Sequence, residues 1–305
     1  MSSRPVEEVP GQARRRPMTL PRLAEMKRNR EPIVMVTAYD HPSAQAVEEA
    51  GVDIVLVGDT AAMTVLGYDS TVPVGMEEML TLAAAVRRGL ETPLLVGDMP
   101  FGSYEGSNEL AVASAQRFVK EAGCDAVKLE RGGPSVDRAR AIIRAGIPVM
   151  GHVGLTPQTA TALGGYKAQG RTADRAAQIA EEALALQAAG CFAIVFEAVP
   201  AEVSAVLMEN MDVPVIGIGA GPATDGQVLV FHDLLGFFGG HEPRFVKRYA
   251  NLREEIVRAV SAYAADVRER RFPSPEHAYA VDSSELEAFR RYLDQESLAG
   301  SAWDW

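Results

Sequence analysis

The sequence predicts a (β/α)8 TIM barrel, because short β-branched runs alternate with alanine-rich helical segments along most of the chain. The apolar runs lack strict alternation with polar residues, which is typical of parallel strands buried on both faces. Several helical segments end in glycine just before the next strand, the expected C-terminal stop. Repeated βα units of this number and spacing favour a barrel over a doubly wound sheet.

The strands and helices can be placed in order along the chain. The predicted strands are Ile33–Val36, Asp53–Val57, Pro93–Val96, Ala126–Leu129, Pro148–Met150, Ala193–Phe196 and Val215–Ile218, with Val228–Phe231 as a weaker eighth. The helical patterns between them include Met76–Gly89, Ser107–Gly123, Ser135–Ala145, Ala173–Gly190 and Glu202–Asn210. We expect a flexible N-terminal extension over residues 1–20, a catalytic barrel over 21–275, and a C-terminal extension over 276–305 with an amphipathic helix at Ser284–Leu293.

Composition limits the class of partner. The 305 residues include 30 Lys and Arg against 41 Asp and Glu, a formal charge of -11. Because phosphate binding needs a basic surface, we expect neither nucleic acid nor an anionic membrane as the main partner. The basic cluster Arg14–Arg16 precedes no apolar stretch, and no run approaches the 18 or so apolar residues of a membrane span. Cys124 and Cys191 fit core positions rather than a disulfide framework, and we expect a cytoplasmic protein.

Ionisable side chains stand where five consecutive predicted strands end. In a TIM barrel the catalytic groups lie at these ends and in the loops that follow. A single Asp there is usually a helix cap or turn residue. The set as a whole favours function, because charged side chains are seldom buried without a partner. The residues concerned are Asp59 with Thr60, Asp98, Lys128 and Glu130 on one strand face, His152, and Glu197.

These residue types predict metal-assisted chemistry at a 2-oxo acid. Asp59, Asp98 and Glu130 form an all-oxygen set, which suits Mg²⁺ rather than zinc. Such a metal acts as a Lewis acid on the enolate of a 2-oxo acid, and Lys128 could add positive charge at the same oxygen. Glu197, on another strand, could accept the proton. His152 fits either a structural or a catalytic histidine.

Two glycine-rich segments allow alternative interpretations. Gly217–Gly221 follows the seventh strand, but Pro222 stands where the third glycine of a dinucleotide-binding motif belongs. The sequence therefore favours a loop at the barrel mouth whose backbone can closely approach a ligand. Gly164–Arg171 lies in a long loop after the fifth strand. Its length and glycines suit an active-site lid, and a plain surface loop is the alternative.

At these residues the sequence closely resembles the ketopantoate hydroxymethyltransferase family, in the phosphoenolpyruvate/pyruvate barrel superfamily. The resemblance covers about residues 18–278 in one order and at natural spacing. The matching stretches are Thr37–Asp40, Leu56–Thr60, Met63–Thr64, Gly67–Thr71, Asp98–Phe101, Val127–Glu130, Gly151–Gln158, Gly164–Lys167, Glu197–Pro200, Gly217–Gly221, Thr224–Gln227 and His232–Asp233.

The resemblance implies a reaction, a co-substrate and residue roles. A hydroxymethyl group would pass from 5,10-methylenetetrahydrofolate to 3-methyl-2-oxobutanoate, giving 2-dehydropantoate in pantothenate biosynthesis. Family members are also commonly homodecamers. The implied roles are direct Mg²⁺ ligation by Asp59 and Asp98, a third metal-site ligand in Glu130, oxo-acid contacts from Asp59, Thr60, Asp98 and Lys128, proton acceptance by Glu197, and a place for His152 beside the reacting carbons.

Two departures from the family pattern stand near these residues. Thr60 replaces a frequent Ser, which keeps the hydroxyl and adds a methyl group. Ala198 follows the glutamate where Cys or Ser is common, so a side-chain contact at this position is in doubt.

Two other functions remain open from sequence alone. A lyase or decarboxylase of the same superfamily would also use a metal ion to stabilise an enolate. It would typically carry a Lys-Lys-Cys-Gly-His loop, which is absent from the sequence. A non-catalytic barrel that serves as a binding or scaffold protein predicts damaged metal carboxylates, whereas Asp59, Asp98 and Glu130 are all present.

Overall fold

The computed structural model describes residues 15–298 except 132, 134, 241 and 242. The predicted TIM barrel is confirmed: eight parallel strands pair in sequence order, and β1 closes the sheet against β8. The strands are β1 Ile33–Thr37, β2 Ile54–Val57, β3 Leu94–Asp98, β4 Ala126–Lys128, β5 Val149–Gly154, β6 Ala193–Glu197, β7 Val215–Ile218 and β8 Gly226–Leu229.

Along the chain at least one helix follows each strand, as the alternating pattern predicts, except between β7 and β8, which residues 219–225 join directly. Their bounds are α1 Leu20–Asn29, α2 His41–Glu49, α3 Ala61–Thr64, α4 Met76–Arg87, α5 Asn108–Ala122, α6 Ser135–Arg144, α7 Ala173–Ala189, α8 Ala201–Met208, α9 Phe231–Leu234, α10 Leu252–Arg268 and α11 Ser283–Leu298. Side-chain caps start several of them: Ser107 accepts from the Leu110 amide and Thr172 from the Arg175 amide. None of the helices in the described ranges is both long and apolar enough to cross a membrane.

Two apolar clusters hold the barrel together. One fills the inside of the sheet with alternate residues of the strands, such as Ile54 and Leu56 on β2, and Leu23 of α1 packs into the same cluster. The other lies between the sheet and the helices, with Phe118 of α5 fully buried in it. This two-sided burial explains why the strands read as continuous apolar runs.

The eighth predicted strand is displaced in the structure. The sequence predicts this strand at Val228–Phe231, whereas β8 covers Gly226–Leu229 and α9 begins at Phe231. The Phe231 amide donates to the hydroxyl of Thr37, at 2.9 Å, rather than to a strand.

Residue contacts divide the chain into two compact units. The first runs to Ala250 and contains the barrel; the second begins at Asn251 and contains α10 and α11. The domain bounds predicted from the sequence, at residues 20 and 275, stay predictions, and most of the N-terminal extension lies outside the described residues.

Candidate active site

The carboxyl ends of the strands line one deep cavity of about 1100 Å³. Because all strands of the barrel are parallel, the residues at their carboxyl ends face the same opening. The structure brings together every residue that the sequence singled out for the site. The cavity is lined by Asp59, Thr60, Asp98, Lys128, Glu130, His152 and Glu197, among others.

A buried ion pair joins β3 and β4. The register of these strands sets Asp98 beside Lys128, and the lysine Nζ donates to Asp98 Oδ1 at 2.6 Å. Burial alone would lower the pKa of Lys128, but the charges of Asp98, Glu130 and Asp59 outweigh it and raise that pKa. Lys128 therefore carries a positive charge at neutral pH, as a group that stabilises an oxyanion must.

Asp59 lies directly against this pair. Its amide donates to Asp98 Oδ2 at 3.1 Å, and its own Oδ2 accepts from Gln158 Nε2 at 2.9 Å. Burial, together with the charges of Asp98 and Glu130, holds the pKa of Asp59 well above its ordinary value. A divalent cation beside this carboxyl group would favour its charged form.

His152 lies between two glutamates. Its Nε2 is 3.2 Å from Glu197 Oε2, and its Nδ1 is 3.5 Å from Glu130 Oε1. Neither contact has the full geometry of a hydrogen bond, and both are ion pairs when the imidazole is protonated. Burial opposes protonation, but the two carboxylates outweigh it and raise the pKa of His152 to about 9. The position itself corrects the sequence interpretation, because His152 lies within β5 rather than after it.

Glu197 ends β6 at a sharp change of backbone direction. The next residue, Ala198, has a left-handed φ of 50°, and its amide donates to the Ile218 carbonyl at 2.8 Å. Gly154 lies beside Glu197 on β5, where a Cβ would stand 2.3 Å from the Glu197 carbonyl oxygen. The Glu197 side chain is 16% exposed, against 2% for those of Glu130 and Asp98. Glu197 is thus the most open to the cavity of these three carboxylates.

Thr60 is held by a tyrosine. Its Oγ1 and the Tyr39 hydroxyl are 3.0 Å apart, and burial raises the pKa of Tyr39 to about 12. The tyrosine is therefore neutral at physiological pH, so this contact is a hydrogen bond between two hydroxyls. It restricts the rotation of the Thr60 hydroxyl at the cavity wall.

Sequence reasoning missed two residues that hold the carboxylates. Gln158 donates from Nε2 to Asp59 and to the Met99 carbonyl at 3.0 Å, and its backbone amide donates to Glu130 Oε2 at 3.1 Å. Tyr104 donates to Gln158 Oε1 at 2.6 Å and accepts from the Glu130 amide at 3.3 Å. Gln158 belongs to the Gly151–Gln158 stretch, so its place beside the site could have been inferred, but its partners could not.

The charges around the cavity suit a divalent cation. Among the predicted site residues, the four carboxyl groups of Asp59, Asp98, Glu130 and Glu197 face two basic groups, those of Lys128 and His152. In the described part of the chain no three His, Cys, Asp or Glu side chains form a ready ligand cage. Both oxygens of Asp98 and both oxygens of Glu130 already contact protein groups. The donor set therefore fits one or two direct carboxylate ligands completed by water or substrate, a coordination typical of Mg²⁺.

The glycine-rich loop after β5 also reaches the cavity. Tyr166, Lys167 and Arg171 line it, together with Arg244 from the chain beyond α9. This placement fits the lid interpretation better than a plain surface loop; closure of the loop over a substrate stays a prediction.

Comparison with known proteins identifies the family. The sequence model of ketopantoate hydroxymethyltransferase matches residues 17–275. The 3-methyl-2-oxobutanoate hydroxymethyltransferase of Moorella thermoacetica is 52% identical over 267 residues, covering 88% of this chain and 99% of that protein. The mitochondrial 3-methyl-2-oxobutanoate hydroxymethyltransferase 1 of Oryza sativa subsp. japonica is 49% identical over 294 residues, covering 94% of this chain and 81% of that protein.

Solved structures support the fold. Phosphonopyruvate hydrolase in complex with oxalate and Mg²⁺ superposes with a TM-score of 0.56 at 14% identity, covering 92% of this chain and 98% of that chain. Oxaloacetate acetylhydrolase in complex with oxalate gives a TM-score of 0.55 at 14% identity, with the same coverage. At such low identity these two structures support the fold alone, whereas the match in sequence extends over most of the chain. The chain belongs to the ketopantoate hydroxymethyltransferase family.

Proposed function

We propose that this chain is a hydroxymethyltransferase that converts 3-methyl-2-oxobutanoate to 2-dehydropantoate, in the biosynthesis of pantothenate. The one-carbon donor is 5,10-methylenetetrahydrofolate, and Mg²⁺ is the metal. The observation that carries the proposal is the buried group of Asp59, Asp98, Lys128 and Glu130 at the barrel mouth, beside the more open Glu197, in a chain of this family. The family match also decides against the lyase and scaffold alternatives.

Asp59 and Asp98 are the proposed direct ligands of Mg²⁺, and Glu130 is the proposed third ligand of the metal site, acting through water; these are the roles that membership of the family implies. When bound there, Mg²⁺ supplies Lewis acidity to the carboxylate and ketone oxygens of the oxo acid. Lys128 adds positive charge at the ketone oxygen, and the Thr60 hydroxyl contributes a substrate contact. Asp59→Ala should weaken binding of 3-methyl-2-oxobutanoate and remove its Mg²⁺ dependence, as measured by calorimetry; unchanged binding would contradict the ligand assignment.

Glu197 is the proposed base. Its carboxylate takes the proton from C3 of the oxo acid, and the C3 carbanion forms the new C–C bond with the one-carbon unit that the folate donates. In the overall balance both C–N bonds of the bridging methylene group of the folate break, water supplies the hydroxyl oxygen, and the C3 proton and one proton of water pass to the two folate nitrogens, which leaves tetrahydrofolate. His152, protonated between the two glutamates, orients the Glu197 carboxylate through the contact at 3.2 Å.

Formation of 2-dehydropantoate from the two substrates, with Mg²⁺ present, tests the proposal. The wild type should form it, and Glu197→Gln should reduce kcat at least a hundredfold, the lower end for loss of a general base, which is about 10²–10⁴. Glu202→Gln, on the surface helix α8, is the matched control and should retain wild-type kcat. No product with wild-type protein, Mg²⁺ and both substrates would overturn the proposed function.

Location and assembly stay predictions from the sequence. We propose a cytoplasmic homodecamer that binds neither nucleic acid nor membrane. Sedimentation of the purified protein tests the number of subunits.

A further inference from the structure

The cavity is larger than a five-carbon oxo acid requires. Pockets that bury a drug-sized ligand have volumes of about 300–1000 Å³, and this cavity measures about 1100 Å³. The carboxylates at its bottom account for the oxo acid alone. The remaining space, toward the mouth, is therefore available to the second substrate.

The charge changes sign between the bottom and the mouth. The bottom is acidic, whereas Lys167, Arg171 and Arg244 line the outer part and are exposed. None of these three side chains forms an ion pair or hydrogen bond with another described residue. A cavity that holds exposed cations at its mouth, unpaired among the described residues, is suited to a ligand whose outer end is anionic.

The loop that carries two of these cations is fixed to the site. The Gln169 amide donates to the Ala198 carbonyl at 2.9 Å, directly after Glu197. Its side chain donates to the Lys167 carbonyl at 2.9 Å and accepts from Arg175 at 3.2 Å. Gly170 then turns the chain with a φ of +83°, which an L residue rarely adopts. Lys167 and Arg171 thus flank a buried anchor instead of lying on a free loop.

Tyr166 belongs to the same loop and lines the same cavity as Asp59, Glu130 and Glu197. Burial and the charges of these three residues raise the pKa of Tyr166. The loop therefore contributes an aromatic side chain to the cavity directly before the cation of Lys167.

We propose that Lys167, Arg171 and Arg244 form an anion subsite that binds the carboxylates of the glutamyl tail of reduced folate. This inference rests on the proposed function. The pterin end must reach the oxo acid to deliver its one-carbon unit, so the tail at the opposite end of the molecule points out of the cavity. Each added glutamate brings one more carboxylate to these cations, which makes the subsite more important for polyglutamyl than for monoglutamyl donors.

The test compares the KM for monoglutamyl and triglutamyl 5,10-methylenetetrahydrofolate. The variants Lys167→Met, Arg171→Gln and Arg244→Gln remove the charge but retain most of the side-chain length. The matched control is Arg88→Gln. Arg88 is an exposed arginine at the C-terminal end of α4 and is not among the residues that line the cavity. Each subsite variant should raise the KM for the triglutamyl donor about threefold to fivefold, the effect of losing one exposed ion pair. The KM for the monoglutamyl donor should rise less. The control variant should change neither KM.

Exchange of the C3 proton of 3-methyl-2-oxobutanoate with D₂O, with Mg²⁺ and without folate, separates this subsite from the chemistry. We expect all three variants to exchange at the wild-type rate. An unchanged triglutamyl KM in all three, or loss of exchange along with the rise in KM, would overturn the subsite. Absence of both exchange and product in the wild type would instead overturn the proposed function.

Discussion

Replacing Gln158 with methionine removes the polar contacts that hold Asp59 without changing side-chain length much. Methionine cannot donate to Asp59 Oδ2 or to the Met99 carbonyl, and it cannot accept well from the Tyr104 hydroxyl. The backbone amide of residue 158 still donates to Glu130. The variant therefore separates the side-chain contacts from the backbone contact.

The magnitude follows from the groups that lose a partner. Three buried polar groups are affected, and each costs about 1–3 kcal/mol when it is left without a hydrogen bond. Since Tyr104 keeps its contact with the Glu130 amide and the site can relax, we take the low end for each. The free energy of unfolding of Gln158→Met should fall by about 3 kcal/mol.

Urea unfolding in the presence of EDTA measures this loss without a contribution from bound metal. Gln178→Met, on the exposed face of α7, is the control and should stay within about 0.5 kcal/mol of the wild type. Calorimetry with Mn²⁺ in place of Mg²⁺ should also show weaker binding to Gln158→Met, because Asp59 loses its orientation. A variant as stable as the control, with wild-type Mn²⁺ affinity, would refute the reasoning.

Three further predictions concern backbone strain and thiols. Ala198→Gly should raise the free energy of unfolding by about 0.5 kcal/mol, because relief of a left-handed alanine, about 1–2 kcal/mol, exceeds the entropy cost of glycine, about 0.5–1 kcal/mol; denaturant unfolding checks this, and a loss of stability would contradict it. Gly154→Ala should lower the free energy of unfolding by about 3 kcal/mol and reduce kcat, because the Cβ of the alanine would overlap the Glu197 carbonyl oxygen. Wild-type stability and a wild-type rate would count against this clash. Burial raises the pKa of Cys124 and Cys191 to about 12, so both thiols stay protonated at pH 8. They should react with Ellman's reagent only after unfolding, and rapid reaction of the native protein would disprove their burial.

The fold was largely predictable from the sequence because the barrel repeats one pattern. Buried parallel strands such as Val215–Ile218, where prediction and structure agree, are apolar runs with clear ends. The strand at Gly226–Leu229 was harder to place, because Gln227 interrupts its apolar pattern and Val230 and Phe231 extend it beyond the true end. The prediction placed the strand over the apolar residues. In the structure the Phe231 amide instead donates to the Thr37 hydroxyl, beyond the end of the strand.

The sequence predicts which residues lie together in the site, but it does not predict the contacts that hold them in place. Residues at the ends of parallel strands must face one opening, so the approach of Asp59, Asp98 and Glu197 follows from the fold class. The contact between Gln158 and Asp59 joins positions 99 residues apart, and no local pattern encodes it. The left-handed conformation of Ala198 was equally hidden, because it falls on an alanine rather than on the glycine that usually marks it.

The half-reaction at C3 tests the central claim most directly. Proton NMR of 3-methyl-2-oxobutanoate in D₂O, with the wild-type protein and without folate, follows the C3 proton. The account predicts that this signal disappears when Mg²⁺ is present and persists without it, and that Glu197→Gln abolishes the exchange while the oxo acid still binds. Exchange at the wild-type rate in Glu197→Gln, or exchange that does not depend on Mg²⁺, would contradict the account.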